Sequence, residues 1–128
     1  MNTLIISPDE DNTTPKIKLD KTNNIFEISG NSLPEDVLTF YNPVMQWIEE
    51  YKKQPNPKTK LKITLNYFNS ASSKIMLDLL TMFEELPQKG HEVVIEWHYM
   101  VMDEDMLTTG QEFQSLIKVP FVFIPFTE

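Results

Sequence analysis

Apolar residues along this chain change spacing several times, and the changes mark out its elements. Lys16–Leu19 (KIKL) and Ile25–Ser29 (IFEIS) alternate apolar and polar positions, which predicts two strands of a hairpin with Asp20-Lys21-Thr22-Asn23-Asn24 as the turn. Ahead of them, Leu4–Ile6 is apolar, but Ser7-Pro8 and Pro15 punctuate an otherwise irregular, polar segment. Gly30-Asn31-Ser32 reads as the break after the second strand. Val37, Phe40, Tyr41, Val44, Trp47, Ile48 and Tyr51 then recur at helical spacing, predicting a helix from Pro34 to about Lys53. Pro43 inside it lacks the amide donor of a helix interior and is expected to kink or split it. Leu61–Phe68 is rich in β-branched and aromatic residues and reads as a buried strand. From Ser72 the spacing turns helical again, with Ile75, Met76, Leu79, Leu80, Met82, Phe83 and Leu86 on one arc, closed by Pro87–Gly90. Glu92–Tyr99 alternates as a strand. A last helix is expected from about Asp103 to Ile117, with Met106, Leu107, Phe113, Leu116 and Ile117 inward and Gly110 weakening it. Phe121–Phe126 is a short terminal strand whose Pro125 suits an edge.

The order β-β-α-β-α-β-α-β predicts an α/β sandwich. Its sheet is mixed: the hairpin is antiparallel and the strand–helix–strand units are right-handed parallel crossovers. A chain of 128 residues with 41% hydrophobic and 23% charged residues suits one globular domain over its whole length.

Composition narrows the chemistry. There is no cysteine, which removes disulfides, thiolate metal sites and cysteine nucleophiles and is compatible with the cytoplasm. MNTLIISPDEDN has no basic stretch and only three consecutive apolar residues, so it reads as no signal peptide, and no apolar run is long enough for a membrane span. The net charge is −8 and all 11 basic residues are lysine. Lacking arginine, the planar clamp for phosphates and base edges, the chain is a poor candidate for nucleic-acid binding. Lys52, Lys53, Lys58, Lys60 and Lys62 cluster, and are read as solubilising a loop and a strand edge. The three glycines stand far apart, so no phosphate-cradling loop exists. His98 with Asp103, Glu104 and Asp105 fits no zinc or calcium spacing, and no G-x-S-x-G nucleophile elbow is present to pair a serine with either histidine. No metal, cofactor or catalytic residue is expected.

One stretch remains, Asn69-Ser70-Ala71-Ser72-Ser73, where a strand hands over to a helix. On residue statistics alone one of the serines caps the helix. The functional alternative is phosphorylation. A phosphate there would meet free amides and the positive helix end, and a docking partner would meet a dianion in place of a small hydroxyl.

FEISGNSLPEDVLTFYNPVMQWIEEY, NYFNSASSKIMLDLLTMFEEL and EWHY together resemble the SiaC-like regulatory phosphoproteins. The most telling features are the Tyr-x-Asn-Ser/Thr turn running into Ser-x-Lys-x-Met-x-Asp, and the Trp-His-Tyr strand end. The resemblance implies a fold similar to anti-sigma-factor antagonists and other STAS domains, and a non-enzymatic partner switch. A cognate serine/threonine kinase would phosphorylate the hydroxyl residue after Tyr-x-Asn, and a metal-dependent phosphatase would remove the phosphate. The unmodified form would bind and activate an output protein such as a diguanylate cyclase. Where the family carries threonine this chain has Ser70, with Ser72 and Ser73 as alternative acceptors. Asn69 is expected to shape the turn, and Lys74, Leu77 and Asp78 to form part of the docking surface. The competing readings are a constitutive interaction module without modification, and an anti-sigma-factor antagonist.

Overall fold

The computed structural model describes residues 1–127 and has one six-stranded sheet whose strands lie side by side in chain order. β1 (Leu4–Ile6), β2 (Lys16–Asp20) and β3 (Ile25–Ser32) pair antiparallel; β4 (Lys58–Phe68), β5 (Glu92–Met100) and β6 (Phe121–Phe126) follow, each parallel to its predecessor. The crossovers carry α1 (Val37–Tyr51), α2 (Ser70–Thr81) and α4 (Glu104–Leu116). Between α2 and β5 lie a 3₁₀ turn (Met82–Glu84) and the short α3 (Glu85–Gln88).

Every crossover steps one strand in the same direction, so a constant hand stacks the helices on one face of the sheet. Burial follows. Ile17, Leu19, Phe26, Ile28, Leu61, Ile63, Leu65, Val93, Ile95, Trp97 and Phe121 turn to the helices and are buried with Tyr41, Tyr51, Met76, Leu79 and Phe113. Phe26 packs against Trp47 and Tyr51 of α1, and Trp97 meets Phe113 of α4 edge-on at 5.6 Å. The opposite face is open. Its central row reads Lys18, Glu27, Lys62, Glu96 across four strands, opposite charges beside one another. Lys58, Lys60 and Lys62 therefore stand on the exposed face of an interior strand rather than at a sheet edge.

Several expectations need correction. Leu4–Ile6 is a strand, because Leu4 and Ile6 add apolar contacts beside Leu19 and Ile17. β3 runs on through Gly30–Ser32, where the register slips: Gly30 faces Leu65 but Asn31 faces Tyr67, leaving Asn66 as an extra residue on β4. Gly30 adopts φ 103°, which a side chain would resist. α1 starts at Val37 with Asp36 as its cap, and Pro43 neither splits nor ends it. Pro43 and Thr39 both sit on the solvent side, so the Thr39 carbonyl that loses its amide partner faces water. The second helix starts at Ser70 rather than Ser72, and its apolar arc continues to Leu86 only through the 3₁₀ turn and α3. Leu116, expected inward, is exposed.

Candidate functional site

The parallel strands end, and α1, α2 and α4 begin, at the same end of the sandwich. The extra residue at Asn66 decides how the chain arrives there. Leu61, Ile63 and Leu65 face the helices, but beyond the bulge the alternation flips. Tyr67 is sent outward, 57% exposed, while Phe68 turns in and stacks on Phe113 at 6.4 Å. Asn69 follows in extended conformation and caps α2, its side-chain oxygen accepting from the Ser72 amide at 2.8 Å. Asparagine, not serine, is the cap.

That assignment frees the serines for different fates. Ser70, at the first helical position, is exposed. Ser73 is half-buried and its amide bonds the Asn69 carbonyl at 2.9 Å. Ser72 is fully buried: Ser32 donates a hydrogen bond to its hydroxyl at 2.9 Å, and the Tyr41 hydroxyl lies 2.6 Å from Ser32 Oγ. Burial pushes the Tyr41 phenol above its usual range, and the bond to Ser32 opposes that rise. The Ser32 carbonyl also accepts from the Asn69 amide at 3.3 Å, so one residue at the end of β3 ties down both the cap and the first turn of α2. Ser32 and Tyr41 escape a reading of the sequence because they lie 40 and 31 residues from Ser72 and meet it only through the fold. The one available signal is general: a tyrosine on a buried helix face needs a partner for its hydroxyl.

The electrostatics of this end are uneven. α1 begins at Asp36, and α4 at Asp103 followed by Glu104 and Asp105, whereas α2 has a neutral cap and no acid in its first turn. Among the described residues, the Ser70 and Ala71 amides make no hydrogen bond. Lys74 and Asp78 are exposed, one turn apart, and neither is held in an ion pair among the described residues; Leu77 is half-buried against the core. Asn69 and Ser70 thus stand at the start of α2, and Lys74, Leu77 and Asp78 follow along the same side of the helix over its next two turns. Replacing Asn69 with alanine is expected to cost about 1 kcal/mol through loss of the cap. Urea denaturation of Asn69→Ala against the parent chain measures it.

The other candidates stand apart. Asp103 caps α4 by accepting from the Met106 amide at 3.0 Å, which occupies the carboxylate considered for a metal. His98 lies on the open face 3.1 Å from Glu96, which Lys60 also approaches at 3.4 Å. The His98 hydrogen bond and then Lys60 hold Glu96 below the usual carboxylate range, against the opposing effect of burial. A depression of about 730 Å³ sits between Lys58, Lys60, His91 and Val122, beside the beginnings of β4 and β5 and away from the serine turn. No described helix is long and apolar enough to cross a membrane.

Comparison with known proteins is consistent with this geometry. The family model described as "SiaC family regulatory phosphoprotein" matches residues 8–126. Apo-SiaC from Pseudomonas aeruginosa superposes with a TM-score of 0.87 at 28% identity, over 97% of this chain and 99% of that one. SiaC in the crystal structure of the diguanylate cyclase SiaD with its activator SiaC, from the same organism, gives 0.86 at 28% identity, over 96% and 99%. No curated protein sequence matches the chain. In the SiaD–SiaC complex, SiaD is the cyclase and SiaC its activator. By the match over residues 8–126 and the shared fold, the chain belongs to the SiaC family of regulatory phosphoproteins.

Proposed function

We propose that the chain is a partner switch controlled by reversible phosphorylation of Ser70. The carrying observation is the contrast among the three serines. Ser70 alone is exposed, and it stands at a helix start with free amides and no competing carboxylate, whereas Ser72 is enclosed. A phosphate on Ser70 adds roughly −1.5 to −2 charges at neutral pH and meets the positive end of α2 without any rearrangement of the core. A cognate kinase supplies it and a metal-dependent phosphatase removes it. The unmodified chain binds an output protein through the surface around Ser70, Lys74, Leu77 and Asp78. A diguanylate cyclase is the natural candidate, since the SiaC of Pseudomonas aeruginosa activates one. Docking over an unmodified serine is compatible with an apolar contact beside Tyr67, and burying a dianion there is not.

The test pairs modification with binding. Incubation with the cognate kinase and ATP should place one phosphate on Ser70 of the parent chain and none on Ser70→Ala, read by peptide mass spectrometry. The phosphorylated protein should bind its cyclase at least about tenfold more weakly, a loss of about 1.4 kcal/mol. Absence of phosphate on the parent chain, or a partner whose affinity is unchanged by Ser70→Asp and Ser70→Ala, would return the chain to a constitutive interaction module.

A further inference from the structure

β6 ends the sheet, and from Val119 to Thr127 (VPFVFIPFT) the chain has no charged residue. Natural edge strands are usually blunted by lysine, proline, a bulge or sheer shortness, because free amides and carbonyls in a row template another strand. β1, at the other edge, has three residues; β6 has six, and its one device is Pro125. The hydrogen-bond phase shows what that proline does. The Ile95 amide donates to the Pro120 carbonyl and the Val101 amide to the Phe126 carbonyl, both at 2.9 Å. Even-numbered residues of β6 therefore direct their backbone groups toward β5, while Phe121, Phe123 and Pro125 direct theirs outward. Pro125 removes one outward donor and no inward one. The outward amides of Phe121 and Phe123 remain.

We propose that this edge pairs antiparallel with β6 of a second copy, about a twofold axis through Val122. In that register Phe121 opposes Phe123 of the second copy, and each pair exchanges two amide–carbonyl bonds, so both free amides are used. The side chains agree on both faces. On the helix side, the Phe121 and Phe123 rings, 6.0 Å apart and 27° from parallel, meet the same two rings across the axis. On the open side Val122, 46% exposed, faces its own copy, and Ile124 faces Pro120. Electrostatics select the same strip. Two chains of net charge −8 repel over most of their surfaces, and contact is least opposed where the surface is uncharged. A strand from an unrelated protein could use the same amides, but β6 itself supplies the matching donor spacing and the matching rings. The pairing closes on itself as a twofold dimer. It leaves the serine turn uncovered and does not depend on phosphorylation.

The test is sedimentation velocity of the full chain from about 1 μM to about 1 mM, the range of ordinary to weak association, joined to amide hydrogen exchange. A monomer–dimer equilibrium is expected, in which the Phe121 and Phe123 amides gain protection as the dimer fraction rises. Val122→Lys places two ammonium groups opposite each other at an exposed position and should weaken the dimer at least about tenfold. Ile5→Lys, at the opposite edge, should leave it unchanged. A chain that stays monomeric throughout overturns the proposal. So does a dimer whose Phe121 and Phe123 amides exchange at the monomer rate, or one indifferent to Val122→Lys.

Discussion

Ser72→Asp is expected to destabilise the fold by roughly 3–5 kcal/mol, the range for an uncompensated buried charge. Ser70→Asp, two residues earlier, should change stability by less than about 1 kcal/mol. Both place a carboxylate in the first turn of α2, where the helix dipole favours it. Their surroundings separate them. Ser70 is in water. Ser72 lies in a closed set of hydroxyls with Ser32 and Tyr41, all fully buried, which offers hydrogen bonds but no positive charge. A carboxylate there has to be protonated or has to pull the start of α2 off the sheet. Urea denaturation followed by tryptophan fluorescence distinguishes the two variants. If Ser72→Asp proved as stable as the parent, the hydroxyl set would not be closed and Ser72 would return as an acceptor. The contrast also guards the reading of partner experiments: lost binding in Ser72→Asp reports damage to the fold, while lost binding in Ser70→Asp reports switching.

Gly110→Ala is the second large effect, and its sign runs against helix propensity. Glycine in a helix interior ordinarily gives up about 1 kcal/mol relative to alanine. Here a β-carbon would lie 2.6 Å from Trp97 Nε1 and 2.8 Å from Phe123 Cε1, closer than carbon atoms can approach. Phe123 is half-buried at the sheet edge and can turn aside, but the Trp97 ring cannot. Trp97 is buried and its indole N–H is bonded to the Met106 carbonyl at 3.0 Å, inside the same helix. α4 must therefore lift from β5 and β6, breaking that bond and loosening the Trp97–Phe113 contact. Overpacking of this kind costs about 1–3 kcal/mol, occasionally more. The net expectation is a loss of about 1 kcal/mol after the propensity gain, measured by chemical denaturation, with a shift in tryptophan emission as the local signature. The glycine read from the sequence as a weak point is what lets the helix lie close to the sheet.

The period of the apolar residues made the hairpin, the body of α1, the α2 arc, β5 and α4 legible, since each buries one face against the same layer. What escaped it depends on distant partners. Leu4–Ile6 is too short to show a period and becomes a strand only by pairing with Ile17–Leu19. Tyr67 continues the Leu61, Ile63, Leu65 alternation and looks inward-facing. Only the extra residue opposite β3 reverses it, and nothing local to β4 announces that slip. At the site, the serine turn was readable from residues 67–78, and the family from that turn together with the segment before it and the Trp-His-Tyr strand end. The assignment of the cap to Asn69, and the enclosure of Ser72 by Ser32 and Tyr41, were not, because serine and asparagine cap helices about equally well and tertiary packing decides between them.

The side-by-side strand order has a consequence for how the chain acquires its structure. Each strand finds its neighbour in the adjacent stretch of sequence, with one helix at most as the long crossover between them. The antiparallel pairs of β1–β3 are local, whereas the parallel pairs, such as Phe26 with Leu61 and Lys58 with Glu92, each close across a whole helical crossover and are expected to form more slowly. The sheet can also grow in the direction of synthesis, each new strand adding to an edge already formed without threading between strands in place. β1 and β6 form the opposite edges of the sheet, about 24 Å apart at the spacing of five strand intervals. A circular permutation joining them would need a linker across the whole width of the sheet.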